Sequence, residues 1–128
     1  MSQTLSFDHA DDWLTWLELQ HPSHEIDMGL QRIRQVSKRL LRDEPIAKQV
    51  ITVAGTNGKG SSVAFLTAIL EEAGLSYASL TSPHFVRFNE RIQLQGEPVD
   101  DMALCASFER VNRARYDLAG VATVLTYF

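Results

Sequence analysis

Apolar positions recur along the chain first at helical spacing, then in a short run, then at helical spacing again, and the changes of period mark its elements. Between residues 11 and 20 the apolar positions are Trp13, Leu14, Trp16, Leu17 and Leu19, one face of a helix, and Asp11 and Asp12 suit its positive end. From Leu30 onward Ile33, Val36, Leu40 and Leu41 predict a second amphipathic helix, with Arg32, Arg34, Lys38, Arg39 and Arg42 turned mostly to water and Pro45 marking its end. The segment 21–30 separates the two. Residues 49–54 read as a buried strand. After them Val63, Leu66, Thr67, Leu70 and Ala73 give another helix an apolar side, which Gly74 can terminate. Residues 77–80 are strand-like, so strand, loop, helix and strand predict a right-handed βαβ unit and an α/β architecture.

Further on, Ile92, Gln93, Leu94 and Gln95 alternate as a half-exposed strand does, and Gly96, Glu97 and Pro98 turn it. Asp100 or Asp101 can cap a helix reaching Tyr116, with Met102, Cys105, Ala106, Phe108, Glu109 and Val111 shared between its two faces. The expected organisation is a helical lead-in over 1–48 and a phosphate-loop βαβ core over 49–128. The apolar run 121–128 has no polar tail, and natural termini are more often exposed and polar. The expectation is therefore a chain that stops inside a larger protein.

The junction of the predicted strand 49–54 with the helix after it carries the clearest chemistry. Gly55-Thr56-Asn57-Gly58-Lys59-Gly60-Ser61 is a glycine-rich turn with one lysine. Backbone N–H groups of such a turn converge on phosphate oxygens, the following helix adds its positive end, and the ammonium reaches the outer phosphates. Lys59, between two glycines, has no packing partner that would explain it, and it is the expected catalytic residue. Thr56 and Asn57 are expected loop members, although Asn also suits a plain turn, and Ser61 and Ser62 suit a helix cap as well as a ligand contact. The residue after the lysine is Gly60, where the usual phosphate loop places the hydroxyl that binds magnesium. The metal's protein ligand must then be Ser61, Ser62 or a hydroxyl from elsewhere. Thr81-Ser82-Pro83-His84, at the end of the predicted strand 77–80, supplies a second conspicuous hydroxyl.

Taken together, the glycine-rich run and the block from Thr81 through Ser82-Pro83-His84 to Arg87-Phe88-Asn89-Glu90-Arg91-Ile92 resemble the folylpolyglutamate synthase/dihydrofolate synthase family of the Mur ligase superfamily. The resemblance runs from Trp13 to the end of the chain and is strongest from Val53 to Ile92. It implies a Mur-ligase-like ATP-binding domain, a three-layer αβα arrangement with a mostly parallel sheet, incomplete in this chain, with the carboxy-terminal domain absent. It implies ATP and Mg2+ as cofactors, with Gly55, Thr56, Asn57, Gly58, Lys59, Gly60 and Ser61 around the nucleotide and Ser82 on the metal. Dihydropteroate or reduced folate and L-glutamate would be the small-molecule substrates. Glu25, Ile26, Asp27 and Met28 align with the family's dihydropteroate-binding segment, and Thr126 with a second position near that pocket. Asp27 is equally a cap for the helix that follows it, and Thr126 is equally a cap. Trp13 and Trp16 are expected in the core, with a stacking platform for a pterin as the alternative. His84 is a further metal-ligand candidate beside its reading as a hydrogen-bonding surface group, and Phe85, Arg87 and Phe88 suit a flat heterocycle bearing a carboxylate as well as a loop anchor.

Composition narrows the picture further. The 128 residues carry a net charge of −4 with scattered basic positions, which gives no basic footprint for nucleic acid or an anionic membrane. No apolar stretch approaches the roughly 20 residues of a membrane span, and the first residues lack the order of a secretory signal, so a cytoplasmic location is expected. The single cysteine, Cys105, reads as a small core residue. Two rival readings remain at this point. A peptidoglycan Mur ligase shares the loop but normally has a hydroxyl at the place of Gly60. A truncated nucleotide-binding module would hold ATP without catalysis. The full-length enzyme is expected to be a monomer, and the isolated piece is expected to self-associate through an unpaired sheet edge.

Overall fold

The computed structural model describes residues 5–20 and 29–125, and its element order is helices α1 (Ala10–Leu19), α2 (Gln31–Leu41) and α3 (Lys59–Glu72), strand β1 (Ala78–Leu80), a 3-10 turn (Phe88–Arg91), strands β2 (Ile92–Leu94) and β3 (Glu97–Pro98), and helix α4 (Asp101–Ala114). The chain divides into two compact units, one made of residues up to 48 with those from 101 onward, the other of residues 49–100.

In the first unit α4 packs against both α1 and α2. Its core is aromatic. Trp13 is 1% exposed, meets Phe7 and Trp16 edge-on with centroids 5.1 and 6.0 Å away, and stacks on Phe108 at 5.9 Å. Its indole N–H donates to the Phe7 carbonyl at 3.2 Å, which satisfies the one polar atom that burial would otherwise strand. Trp13 is thus a core residue and presents no free ring face to a pterin. Leu104 and Asn112 are the buried positions of α4, whereas Met102, counted for one of its faces, is 81% exposed.

Helix α2 starts at Gln31 with Leu30 as its N-cap, and Asp27, considered as a cap, lies outside the described residues. It stops at Leu41, before Pro45, because Arg42 and Asp43 take left-handed conformations with φ of 51° and 63°. Two arginines close this unit. Arg115, buried, lies over the Trp16 ring at 5.0 Å and donates to the Thr123 carbonyl and the Asn112 side chain. Arg39 donates to the carbonyls of Ala114 and Arg115 and to the Thr123 hydroxyl, which ties the end of α4 and the returning segment 121–125 to α2.

The second unit holds the three-stranded sheet, in the order β1-β2-β3 with both pairings antiparallel. Ala78, Ser79 and Leu80 face Leu94, Gln93 and Ile92, and Gly96, with φ of 81°, makes the turn into β3. Here the structure departs from the expected parallel βαβ unit. Residues 49–54 join no ladder among the described residues, and the strand expected to lie beside them, β1, pairs antiparallel with β2 instead. A strand is completed only by a hydrogen-bonded neighbour, and the run 49–54 finds none within this unit, leaving Val50 and Ile51 exposed. Helix α3 is half-buried along Val63, Leu66, Thr67 and Leu70, as its spacing predicts, while Phe65 and Ile69 on other sides are exposed. Gly74, with φ of 68°, follows its end.

Candidate nucleotide and metal site

The glycine-rich loop delivers the chain into α3 with Gly58 as the N-cap. Gly55 and Gly58 have φ of 148° and 76°, backbone conformations that a side chain strains and glycine accepts. The first intrahelical bond runs from the Ser62 N–H to the Gly58 carbonyl at 3.0 Å. Among the described residues the N–H groups of Lys59, Gly60 and Ser61 have no acceptor, the cap supplies no side chain, and the first turn holds no acidic residue. Three donors and the positive end of a fourteen-residue helix are therefore presented together to solvent. Ser61 sits inside the first turn and makes no cap bond, so the capping role considered for it is not taken up.

Lys59 is exposed and its ammonium curls back over the loop, donating to the Gly55 carbonyl at 2.6 Å. The side chain thus closes the loop on itself through the Gly55 carbonyl. Thr56, Asn57 and Ser61 are exposed as well. A Cβ placed on Gly60 meets no atom within 4 Å, so the fold does not require a glycine there.

Ser82 belongs to the same unit as the loop, is exposed, and follows β1 by two residues, with a cis peptide bond to Pro83. No hydrogen bond links it to the loop, and its hydroxyl has no internal acceptor or donor among the described residues. The turn around it is held by residues that follow in the chain. The Thr81 N–H donates to the Arg91 carbonyl at 2.8 Å, and Arg91 Nε donates to His84 Nδ1, also at 2.8 Å. That bond occupies a ring nitrogen of His84, and no group of three or more His, Cys, Asp or Glu able to hold a metal exists among the described residues. Phe88 is flanked by the Arg91 guanidinium at 5.2 Å and by the His84 ring at 6.0 Å. Phe88 therefore anchors the loop, whereas Phe85 and Val86 project outward, 95% and 83% exposed.

Glu90 entered the sequence reading only as part of the block 81–92, with no role of its own, and the structure makes it the acceptor that organises the turn. Its carboxylate accepts the N–H groups of Phe85 at 2.9 Å, Val86 at 2.9 Å and Arg87 at 2.6 Å. These backbone donors, Arg87 first, then Phe85 and Val86, hold its carboxyl below the usual range, and His84 nearby acts in the same direction. Asn89, buried beside it, donates to the Val99 carbonyl at 2.7 Å and fastens the 3-10 turn to the chain beyond β3. Cys105 is half-buried, and burial raises its thiol pKa, with Asp101, Asp8 and Asp12 acting in the same direction. Glu25, Ile26, Asp27, Met28 and Thr126 lie outside the described residues.

The glycine-rich loop opening α3 and the exposed hydroxyl two residues after β1 lie in one unit, and the fold that carries them is similar to that of Mur-ligase-like proteins. No family model matches the chain. It is 44% identical over 116 residues to the dihydrofolate synthase/folylpolyglutamate synthase of Escherichia coli (strain K12), an alignment that takes in 91% of this chain and 26% of that protein. The structure superposes on E. coli FolC in complex with DHPP and ADP with a TM-score of 0.83 and 41% identity, covering all of this chain and 29% of that one. It also superposes on a bifunctional folylpolyglutamate synthase/dihydrofolate synthase with Mn, AMPPNP and L-glutamate bound, with a TM-score of 0.82 and 37% identity over 98% of this chain and 29% of that one. The chain is a homologue of the dihydrofolate synthase/folylpolyglutamate synthases, ATP-dependent ligases, and spans about a quarter of the length of the curated relatives it matches.

Proposed function

We propose that this chain supplies the nucleotide-binding part of an ATP- and Mg2+-dependent ligase that adds L-glutamate to dihydropteroate and to reduced folates. The observation that carries the reading is the start of α3, where three N–H groups have no acceptor among the described residues and Lys59, the first residue of the helix, has an exposed side chain bound only to the loop's own Gly55 carbonyl. Phosphate oxygens of ATP satisfy those donors, and Lys59 exchanges the Gly55 carbonyl for a phosphate. The chemistry needs this because a carboxylate resists attack by an amine. Transfer of the γ-phosphoryl group to the carboxylate oxygen gives an acyl phosphate and ADP; the glutamate amine then attacks the carbonyl carbon, and phosphate leaves as the amide forms. Positioning and charge stabilisation are the protein's share of such a transfer. A divalent metal would supply positive charge against the phosphates, and Ser82, an exposed hydroxyl without an internal partner among the described residues, is the residue of this chain that would hold it. Glu25, Ile26, Asp27, Met28 and Thr126 are the proposed folate contacts, and the setting is cytoplasmic.

The alternative for the 128 residues alone is nucleotide binding without turnover, with self-association through the unladdered run 49–54. Gly60, in place of a hydroxyl, speaks against a peptidoglycan ligase. ADP release separates the readings. A chain of the relatives' full length is expected to release ADP only when L-glutamate and a pteroate acceptor are both present, and Lys59→Ala is expected to slow it by about 10²-fold or more. ADP release that ignores either substrate would refute the ligase assignment.

A further inference from the structure

Hydrogen bonds on both sides of Ser82 end on two consecutive residues, Glu90 and Arg91. The Arg91 carbonyl accepts from Thr81, immediately before Ser82, and Arg91 Nε donates to His84, two residues after it, both at 2.8 Å. The guanidinium is itself kept in place over the Phe88 ring at 5.2 Å. Glu90 gathers the next three N–H groups, those of Phe85, Val86 and Arg87, on a single carboxylate. Residues 81 and 84–87 are thereby fixed on both sides of Ser82 and Pro83, while the Ser82 hydroxyl itself is left exposed and without a partner among the described residues. The 3-10 turn that bears Glu90 and Arg91 is in turn fastened through buried Asn89 to the Val99 carbonyl.

We propose that Glu90 and Arg91 are positioning residues for the Ser82 hydroxyl, holding it ready for a divalent cation without touching the cation themselves. The inference rests on the reading of Ser82 as a metal ligand. A side-chain hydroxyl is a weak, neutral donor to a cation, so its contribution depends on being held in place before the cation arrives. An arginine satisfies two requirements at once here, since its Nε reaches a neighbouring ring nitrogen while its flat face lies on Phe88. A lysine in its place retains a donor for His84 but loses the planar contact.

Mn2+ binding to the full chain at saturating ADP tests the proposal, with ADP affinity in the absence of metal and the unfolding midpoint measured in parallel. Ser82→Ala is the reference. Glu90→Gln and Arg91→Ala are expected to weaken Mn2+ binding by about tenfold, the usual effect of losing a group that orients a ligand. Metal-free ADP affinity is expected to stay unchanged, and Arg91→Lys to recover part of the loss. Should Arg91→Ala fail to fold, Glu90→Gln and Arg91→Lys carry the test. Mn2+ affinity left unchanged by these variants while Ser82→Ala lowers it overturns the proposal alone. A parallel fall in metal-free ADP affinity and in the unfolding midpoint also overturns it, by reducing the pair to a general structural role. Ser82→Ala and wild type titrating identically remove the metal reading and the proposal together.

Discussion

Gly58 and Gly60 flank the same lysine and are glycine for different reasons. Gly58 caps α3 with φ of 76°, where a side chain costs about 1 kcal/mol or more, so Gly58→Ala is expected to lower stability by about that amount in urea unfolding. Gly60 lies within the helix with open space where its Cβ would be. Gly60→Ala is therefore expected to raise stability, by up to about 1 kcal/mol, and at the same time to weaken nucleotide binding in calorimetry. Opposite signs in the two measurements would assign the glycine to ligand approach, and a loss of stability would contradict the assignment. Glu90 adds a pH dependence. Its folded pKa is depressed, so its hold on residues 85–87 is complete above the ordinary carboxylate range and is lost as pH falls through the lowered value. The protection of the Phe85, Val86 and Arg87 amides, read as exchange relative to the intrinsic rate at the same pH, is expected to fall on acidification through that window in the wild type and to be low at every pH in Glu90→Ala; wild-type protection that does not change with pH would contradict this. The loop glycines and Lys59 were legible in the sequence because their chemistry is local to seven residues. Glu90 was not, because its partners are backbone N–H groups, which look alike in every sequence.

At the scale of elements, the four helices form where the apolar spacing puts them, since that period is written within each segment, although Leu19, Ile33 and Met102, counted for their apolar faces, are exposed. The strands do not. Residues 77–80 and 49–54 both read as strands, yet β1 takes its partner from residues 92–94, and no local pattern encodes which neighbour wins. The same limit applies to the core of α4, where Leu104 and Asn112 are buried because of what α1 and α2 bring to them. Trp13 is the exception that sequence did reveal. Trp13→Ala is expected to destabilise its unit by about 3–5 kcal/mol, because it removes the ring that Phe7, Trp16 and Phe108 all pack on. A cost below about 1 kcal/mol, read by chemical denaturation, would mean that the ring is dispensable to the core.

At the scale of the whole molecule, the proposed nucleotide and metal residues fall in the unit 49–100, whereas Glu25, Ile26, Asp27, Met28 and Thr126 fall in the other stretch of chain. The family resemblance was legible from two short blocks, 55–61 and 81–92, both inside that one unit, where the proposed phosphate and cation contacts fall. The proposed folate contacts rest on the family resemblance alone, since acidic and hydroxyl side chains serve equally well as helix caps. Nothing in 128 residues that match a quarter of their relatives reports the glutamate site. The central claim, that the start of α3 with Lys59 is a working phosphate cradle, is tested most directly by calorimetric titration of this chain with ATP and Mg2+, wild type against Lys59→Ala. Saturable binding that disappears in the variant is the predicted result. Equal binding by both chains, or none by a wild type that circular dichroism shows to be folded, would contradict it.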